Sequence, residues 1–213
     1  MTASLSWGWP TLFLLGAYHG INPAMGWLFA VARGMQQKST QAVVWSLAPI
    51  ALGHMLAIGA VLLLAGLIQI VLPLKLLKIA VAAVLFGLGL YRIVRNRHFG
   101  WGGLQVGFRD LTIWSFLMAS AHGAGLMVLP VVLTQLSFGA SAGHHMHSSG
   151  FDDPLTGVAA TLVHTLGYLA VTAAVALVVY LKLGLALLRT AWFNLDLVWA
   201  AALIATGCFT LLL

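Results

Sequence analysis

The chain has 213 residues, 62% of them hydrophobic and only 7% charged, with a net charge of +6. Soluble globular domains carry about 25% charged residues, so this composition excludes one and points to a polytopic membrane protein. A single cysteine, Cys208, leaves no intrachain disulfide and no thiol pair for a redox relay.

Apolar runs that reach the roughly 20 residues of a spanning helix fall near 11–32, 42–71, 74–91, 112–138, 155–181 and 190–213. They predict an all-α integral membrane protein with six transmembrane helices in one transmembrane domain. No Lys or Arg precedes the first run, so the basic region of a secretory signal is missing and predicted helix 1 is expected to remain in the mature protein. Arg33, Lys38, Arg92, Arg95, Arg97, Arg109, Lys182 and Arg189 fall on one side of this topology, and only Lys75 and Lys78 on the other. The positive-inside rule then puts both termini outside the cytoplasm, and the expected location is a bacterial inner membrane with the termini periplasmic. This account of the charge makes nucleic-acid binding unnecessary. Trp7 and Trp9 suit the outer interface, and Trp45, Trp101, Trp114 and Trp192 the inner one.

Predicted helix 1 starts after Pro10 and should fail around Gly20-Ile21-Asn22-Pro23, because proline lacks a backbone donor and disfavours helical geometry in the residue before it. Backbone groups freed at membrane depth are tolerated only when buried in protein or lining a cavity. His19 stands at this break. Residues 34–40 read as a cytoplasmic loop. Helix 2 carries Pro49 and, midway, His54; Leu72-Pro73-Leu74 closes it outside. Helix 3 begins with Lys75 and Lys78 and ends in the basic run 91–98, and the glycine-rich segment 99–104 reads as a linker.

In helix 4 the chain repeats itself. Phe116-Leu117-Met118-Ala119-Ser120-Ala121-His122-Gly123 aligns with Phe13-Leu14-Leu15-Gly16-Ala17-Tyr18-His19-Gly20, and Leu162-Val163-His164-Thr165-Leu166 aligns with Leu52-Gly53-His54-Met55-Leu56. Helices 3 and 6 align more weakly, with Gly89 opposite Gly207. Three helices per half make the second half enter from the opposite side, so the expectation is two inverted three-helix repeats, about 11–98 and 112–213. Transporters built this way place their site near the midplane between repeats.

The repeat gathers His19, His54, His122 and His164 at similar depth. Neutral imidazole is the commonest metal ligand and suits Zn, Cu, Fe and Ni. Asn22, Met25, Met55, Met118 and Met127 could add oxygen or thioether donors, and thioethers favour Cu(I). The alternatives are hydrogen-bonded packing across helices and a proton relay serving a non-metal substrate. A second cluster, His144, His145, His147, Asp152 and Asp153, lies in the outer loop 139–154 and has the composition of a weak, fast-exchanging metal-binding tract.

His19-Gly20-Ile21-Asn22-Pro23-Ala24-Met25 resembles the first-helix motif of the nickel/cobalt permeases and urease-accessory-type membrane proteins of the lysine-exporter superfamily. That motif runs His, four residues, Asp-His, often with Asp-Pro inside it. Ala51-Leu52-Gly53-His54 resembles the Leu-Gly-His segment of the following helix. The resemblance covers helices 1 and 2 in motif and the rest in architecture. It implies transition-metal transport, with His19, Asn22, Met25 and His54 at the matching positions. Ala24-Met25 replaces the family's Asp-His and Asn22 its internal Asp, which removes two carboxylates and an imidazole and shifts the expectation from nickel and cobalt toward copper.

The chain contains no Glu, and its four Asp are Asp110, Asp152, Asp153 and Asp196. A neutral site holds a monovalent ion at lower cost than a divalent one, which again favours copper. The expected function is therefore a transition-metal ion transporter or membrane metal-binding protein, not an enzyme. The alternatives are a proton-coupled transporter of a small organic or anionic solute and, without a carboxylate to act as base, an intramembrane zinc metalloenzyme. The expected partners are the lipid bilayer and the ion, which is Cu, Ni, Co or Zn, with a second copy of the chain or a periplasmic metal carrier as further candidates.

Overall fold

The computed structural model describes residues 3–69, 73–94, 107–140, 154–183 and 195–212, and these are helical apart from short turns. In chain order the helices are α1 (Ala3–Ile21), a single 3-10 turn (Pro23–Met25), α2 (Trp27–Gln37), α3 (Thr40–Gln69), α4 (Leu74–Val94), α5 (Phe108–Ala121), α6 (Ala124–Ala140), α7 (Pro154–Val178) and α8 (Leu195–Leu212). A wider π turn, Val179–Leu183, continues α7.

The break expected in the first span is present. Asn22, held extended by the proline after it, has φ −69° and ψ 123°, and its Oδ1 accepts the Ala24 N–H at 3.0 Å to cap the 3-10 turn. Gly26 then starts α2 at φ 128°, a conformation that costs glycine little and other residues a great deal. The apolar run 112–138, expected to form one unbroken helix, is also broken. His122 ends α5, Gly123 adopts φ 73°, and α6 leaves at 60°. This is the ordinary glycine-ended helix terminus, placed inside an apolar run.

Other boundaries shift as well. α1 begins before Pro10, which therefore stands inside the helix and leaves the Ser6 carbonyl without its usual intrahelical donor. The expected loop at 34–40 shrinks to Lys38 and Ser39, because α2 runs to Gln37 and Lys38 takes a left-handed φ of 48° that turns the chain directly into α3. The linker 99–104 and the outer loop 141–153 lie outside the described residues.

Two stretches, Thr40–Ile68 and Leu155–Lys182, are long and apolar enough to cross a membrane, and the bent pair α5–α6 makes a third if it counts as one span. Leu63, Leu64 and Leu67 on α3 and Leu155, Leu166 and Leu181 on α7 point outward and are exposed, a surface suited to lipid and not to water. The sole cysteine, Cys208 on α8, is also exposed.

The helices pair closely: α1 lies along α7, α3 along α5 and α4 along α8, while α2 closes against α3 and α7. Small residues make these approaches possible, as between helices in lipid generally. A Cβ at Gly16 would strike the His164 carbonyl, one at Gly167 the Phe13 carbonyl, and one at Gly53 the Thr112 carbonyl. The interior between the pairs is filled by Leu12, Ile50, Ile58, Leu111, Leu129 and Leu133, all almost fully buried.

Adding a methyl group at these contacts must separate the helices, and overpacking costs about 1–3 kcal/mol. Gly16→Ala and Gly53→Ala are each expected to lower the thermal unfolding midpoint in detergent. Gly59→Ala, in the same helix as Gly53 but facing open space, should leave the midpoint unchanged or raise it, since an unstrained alanine gains about 0.4–1 kcal/mol.

Candidate functional site

Three of the four histidines singled out by the repeat are joined by direct ring contacts. His19 lies in the last turn of α1, His54 in the middle of α3 and His164 in the middle of α7, and each is completely buried. The close helix contacts bring them together: Gly16 seats α1 against the backbone of His164 itself, and Gly53 seats α3 against α5 one residue before His54. The ring centroids are 5.0 Å apart for His19 and His164, 5.4 Å for His54 and His164, and 5.8 Å for His19 and His54.

Two of these rings are fixed by hydrogen bonds to backbone carbonyls. His19 Nδ1 is 2.9 Å from Leu15 O, and His164 Nδ1 reaches across to Leu12 O of α1 at 3.1 Å. A carbonyl can only accept, so in both rings Nδ1 carries a proton. Metal-binding histidines are commonly held in this way, with the second nitrogen donating to a carbonyl or carboxylate. The third ring differs: both nitrogens of His54, and Nε2 of His164, are buried with no hydrogen-bond partner among the described residues.

An imidazole nitrogen bound to an ion of zinc's size lies about 2.0–2.1 Å from it. The ring centroid is then about 3 Å away, and three such rings stand about 5 to 5.5 Å apart. Two of the three observed spacings fall in that range, and the third, His19 to His54 at 5.8 Å, lies just beyond it. The orientations do not fit: His54 and His164 are nearly parallel at 4°, His19 is turned by 70° and 74° from them, and among the described residues no three His, Cys, Asp or Glu side chains converge on one point. The cluster therefore has close to the separation of a three-imidazole site and needs at least one ring to turn before it can grip an ion.

The remaining candidates take other places. His122 sits at the bend between α5 and α6, its Nδ1–H donating to Met118 O at 2.8 Å. Asn22 Oδ1 is engaged by the Ala24 amide, so its first role is to cap the break. Met25 and Met127 are buried in the apolar core, and Met55 is partly buried on α3, one residue beyond His54. His144, His145, His147, Asp152 and Asp153 lie outside the described residues. Asp110, the acidic residue whose side chain is described, is exposed and accepts the Gly107 N–H at the start of α5.

The residue that sequence reasoning missed is Tyr168. It is fully buried, its ring stacks on His54 with centroids 4.0 Å apart and planes 13° apart, and its hydroxyl donates to the Met25 carbonyl in the break. Its position four residues after His164, on the same face of α7, was the available signal. Trp114 is half-buried, its Nε1–H donates to Ala24 O at 3.1 Å, and its ring meets Phe29 edge-on at 5.0 Å.

Helical throughout its described residues, with apolar spans and a buried polar cluster, the chain is a helical membrane protein. No protein-family model, curated protein or solved structure matches it.

A buried polar atom without a partner costs about 1–3 kcal/mol, so the unpartnered nitrogens of His54 weaken the fold. His54→Leu is expected to raise the thermal unfolding midpoint of the ion-free protein, whereas His164→Leu, which removes the hydrogen bond between α7 and Leu12 O of α1, should lower it. A fall for His54→Leu comparable to that for His164→Leu would make His54 a packing residue.

Proposed function

We propose that this chain is a transition-metal ion transporter of a bacterial inner membrane, with the His19, His54 and His164 cluster as its midplane binding site and copper as the favoured ion. The observation that carries this reading is a buried group of three imidazoles with ring centroids 5.0, 5.4 and 5.8 Å apart, two of them already oriented by Nδ1–H bonds to the backbone. The resemblance of the first two spans to nickel/cobalt permeases supports the same class. The loss of that family's carboxylates favours a monovalent ion, whose charge is cheaper to bury without a counter-charge.

The proposed architecture is six spans in two inverted repeats, with both termini and the His-rich loop on the periplasmic side. Helix pairing supports it. Under a two-fold relation the first span of one half exchanges with the first of the other, and the pairs α1 with α7, α3 with α5 and α4 with α8 are the set such an exchange leaves intact. His19 and His122 add a second parallel: each ends a helix just before a break and donates Nδ1–H to the carbonyl four residues earlier. The outer loop, with His144, His145 and His147, collects or releases ions at the periplasmic face.

One observation favours a second reading, a His-based proton relay for a small organic or anionic solute: the three rings do not converge on an ion as they stand. Elemental analysis of protein purified without chelators, followed by Cu(I), Zn, Ni and Co titration, separates the two. The expected result is stoichiometric binding, lost on His54→Ala or His164→Ala and largely kept when residues 144–147 are deleted. Equal loss from the deletion would move the principal site to the outer loop. No binding of any of the four ions, together with solute uptake that follows an imposed pH gradient in proteoliposomes, would establish the proton relay.

A further inference from the structure

Tyr168 touches both the histidine cluster and the broken first span. One face of its ring packs on His54, its hydroxyl donates to the Met25 carbonyl, and the Ser115 hydroxyl lies beside the same phenol while donating to Ile50 O at 2.6 Å. Tyr168 therefore links α7, α3 and α5 to the 3-10 turn at the break. His54 is also the ring best able to move. His19 and His164 would each lose a hydrogen bond to the backbone on turning, whereas neither nitrogen of His54 has such a bond among the described residues.

We infer that Tyr168 is a positioning residue that couples ion binding to the break in the first span: its ring parks His54 in a non-binding orientation while its hydroxyl pins the Met25 carbonyl. This rests on the ion reading above and extends it. For the three rings to converge, His54 must leave its parallel alignment with His164 and with it the Tyr168 stack. A phenol released from the stack shifts against the Ser115 and Thr172 hydroxyls beside it and carries its bond to Met25 O with it. Binding at the midplane and loosening of the Asn22–Gly26 segment thus become one event. The first span is already divided there and can hinge.

The test is backbone hydrogen exchange of peptides covering residues 20–27 in the full-length protein, ion-free and loaded with Cu(I), for the wild type and for Tyr168→Phe. Phenylalanine keeps the stacking face and removes the hydroxyl. Cu(I) is expected to speed exchange of this segment in the wild type by about two- to tenfold, the effect of losing one hydrogen bond. Ion-free Tyr168→Phe should already exchange at the loaded rate, gain nothing from Cu(I), and bind Cu(I) at least as tightly as the wild type. A merely structural tyrosine would raise exchange in the variant yet leave the wild type indifferent to Cu(I), and that result overturns the coupling while the ion reading stands. A wild type that binds no Cu(I) overturns both. If Tyr168→Phe does not accumulate as folded protein, the comparison of loaded with ion-free wild type decides alone.

Discussion

Within a bilayer, a backbone carbonyl that leaves its helix must find a donor inside the protein, and the break after His19 frees several at once. Three are captured by side chains from three different helices. Trp27 of α2 donates to Ile21 O at 3.0 Å, Trp114 of α5 to Ala24 O at 3.1 Å, and Tyr168 of α7 to Met25 O. All three donors are large aromatic residues, which bring apolar bulk and a single polar atom to a place where both are needed. The positions of α2, α5 and α7 around the first span follow from this requirement as much as from their apolar faces.

Once the break is held, the histidines follow. His19 ends α1 because the helix cannot continue through Asn22-Pro23, and α1 can approach α7 closely enough for His164 to reach Leu12 O because Gly16 and Gly167 face the opposing backbones. His54 comes from a helix drawn against α5 by Gly53. Three glycines thus set the depth and separation of three imidazoles. Rotamer alone is left unsettled, and only for the ring that no hydrogen bond restrains.

Much of this was legible in the sequence because it rests on residues with one strong local meaning. Proline after Asn22 announced the break, and the repeated His motifs pointed to four histidines, of which His19, His54 and His164 come together while His122 lies at the bend between α5 and α6. Less visible was anything decided by distant partners. Gly123 inside an apolar run is compatible with a helix until packing bends it, and the left-handed turn at Lys38 leaves no pattern at all. Trp114 and Tyr168 carry the composition of interface aromatics, yet their N–H and O–H are used at the break. Their role depends on which carbonyls are left over in another span, and a single segment does not contain that information.

The acidic residue whose side chain is described lies at the exposed start of α5, and the buried polar groups described are imidazole, hydroxyl and amide. Among the described residues, a cation that enters such surroundings meets dipoles and lone pairs but no fixed negative charge to cancel its own. Its full charge then feels the transmembrane voltage, worth about 2.3 kcal/mol per elementary charge for each 100 mV. If the chain carries a cation as proposed, its passage is electrogenic, and a membrane potential that is negative inside favours movement of the ion toward the cytoplasm.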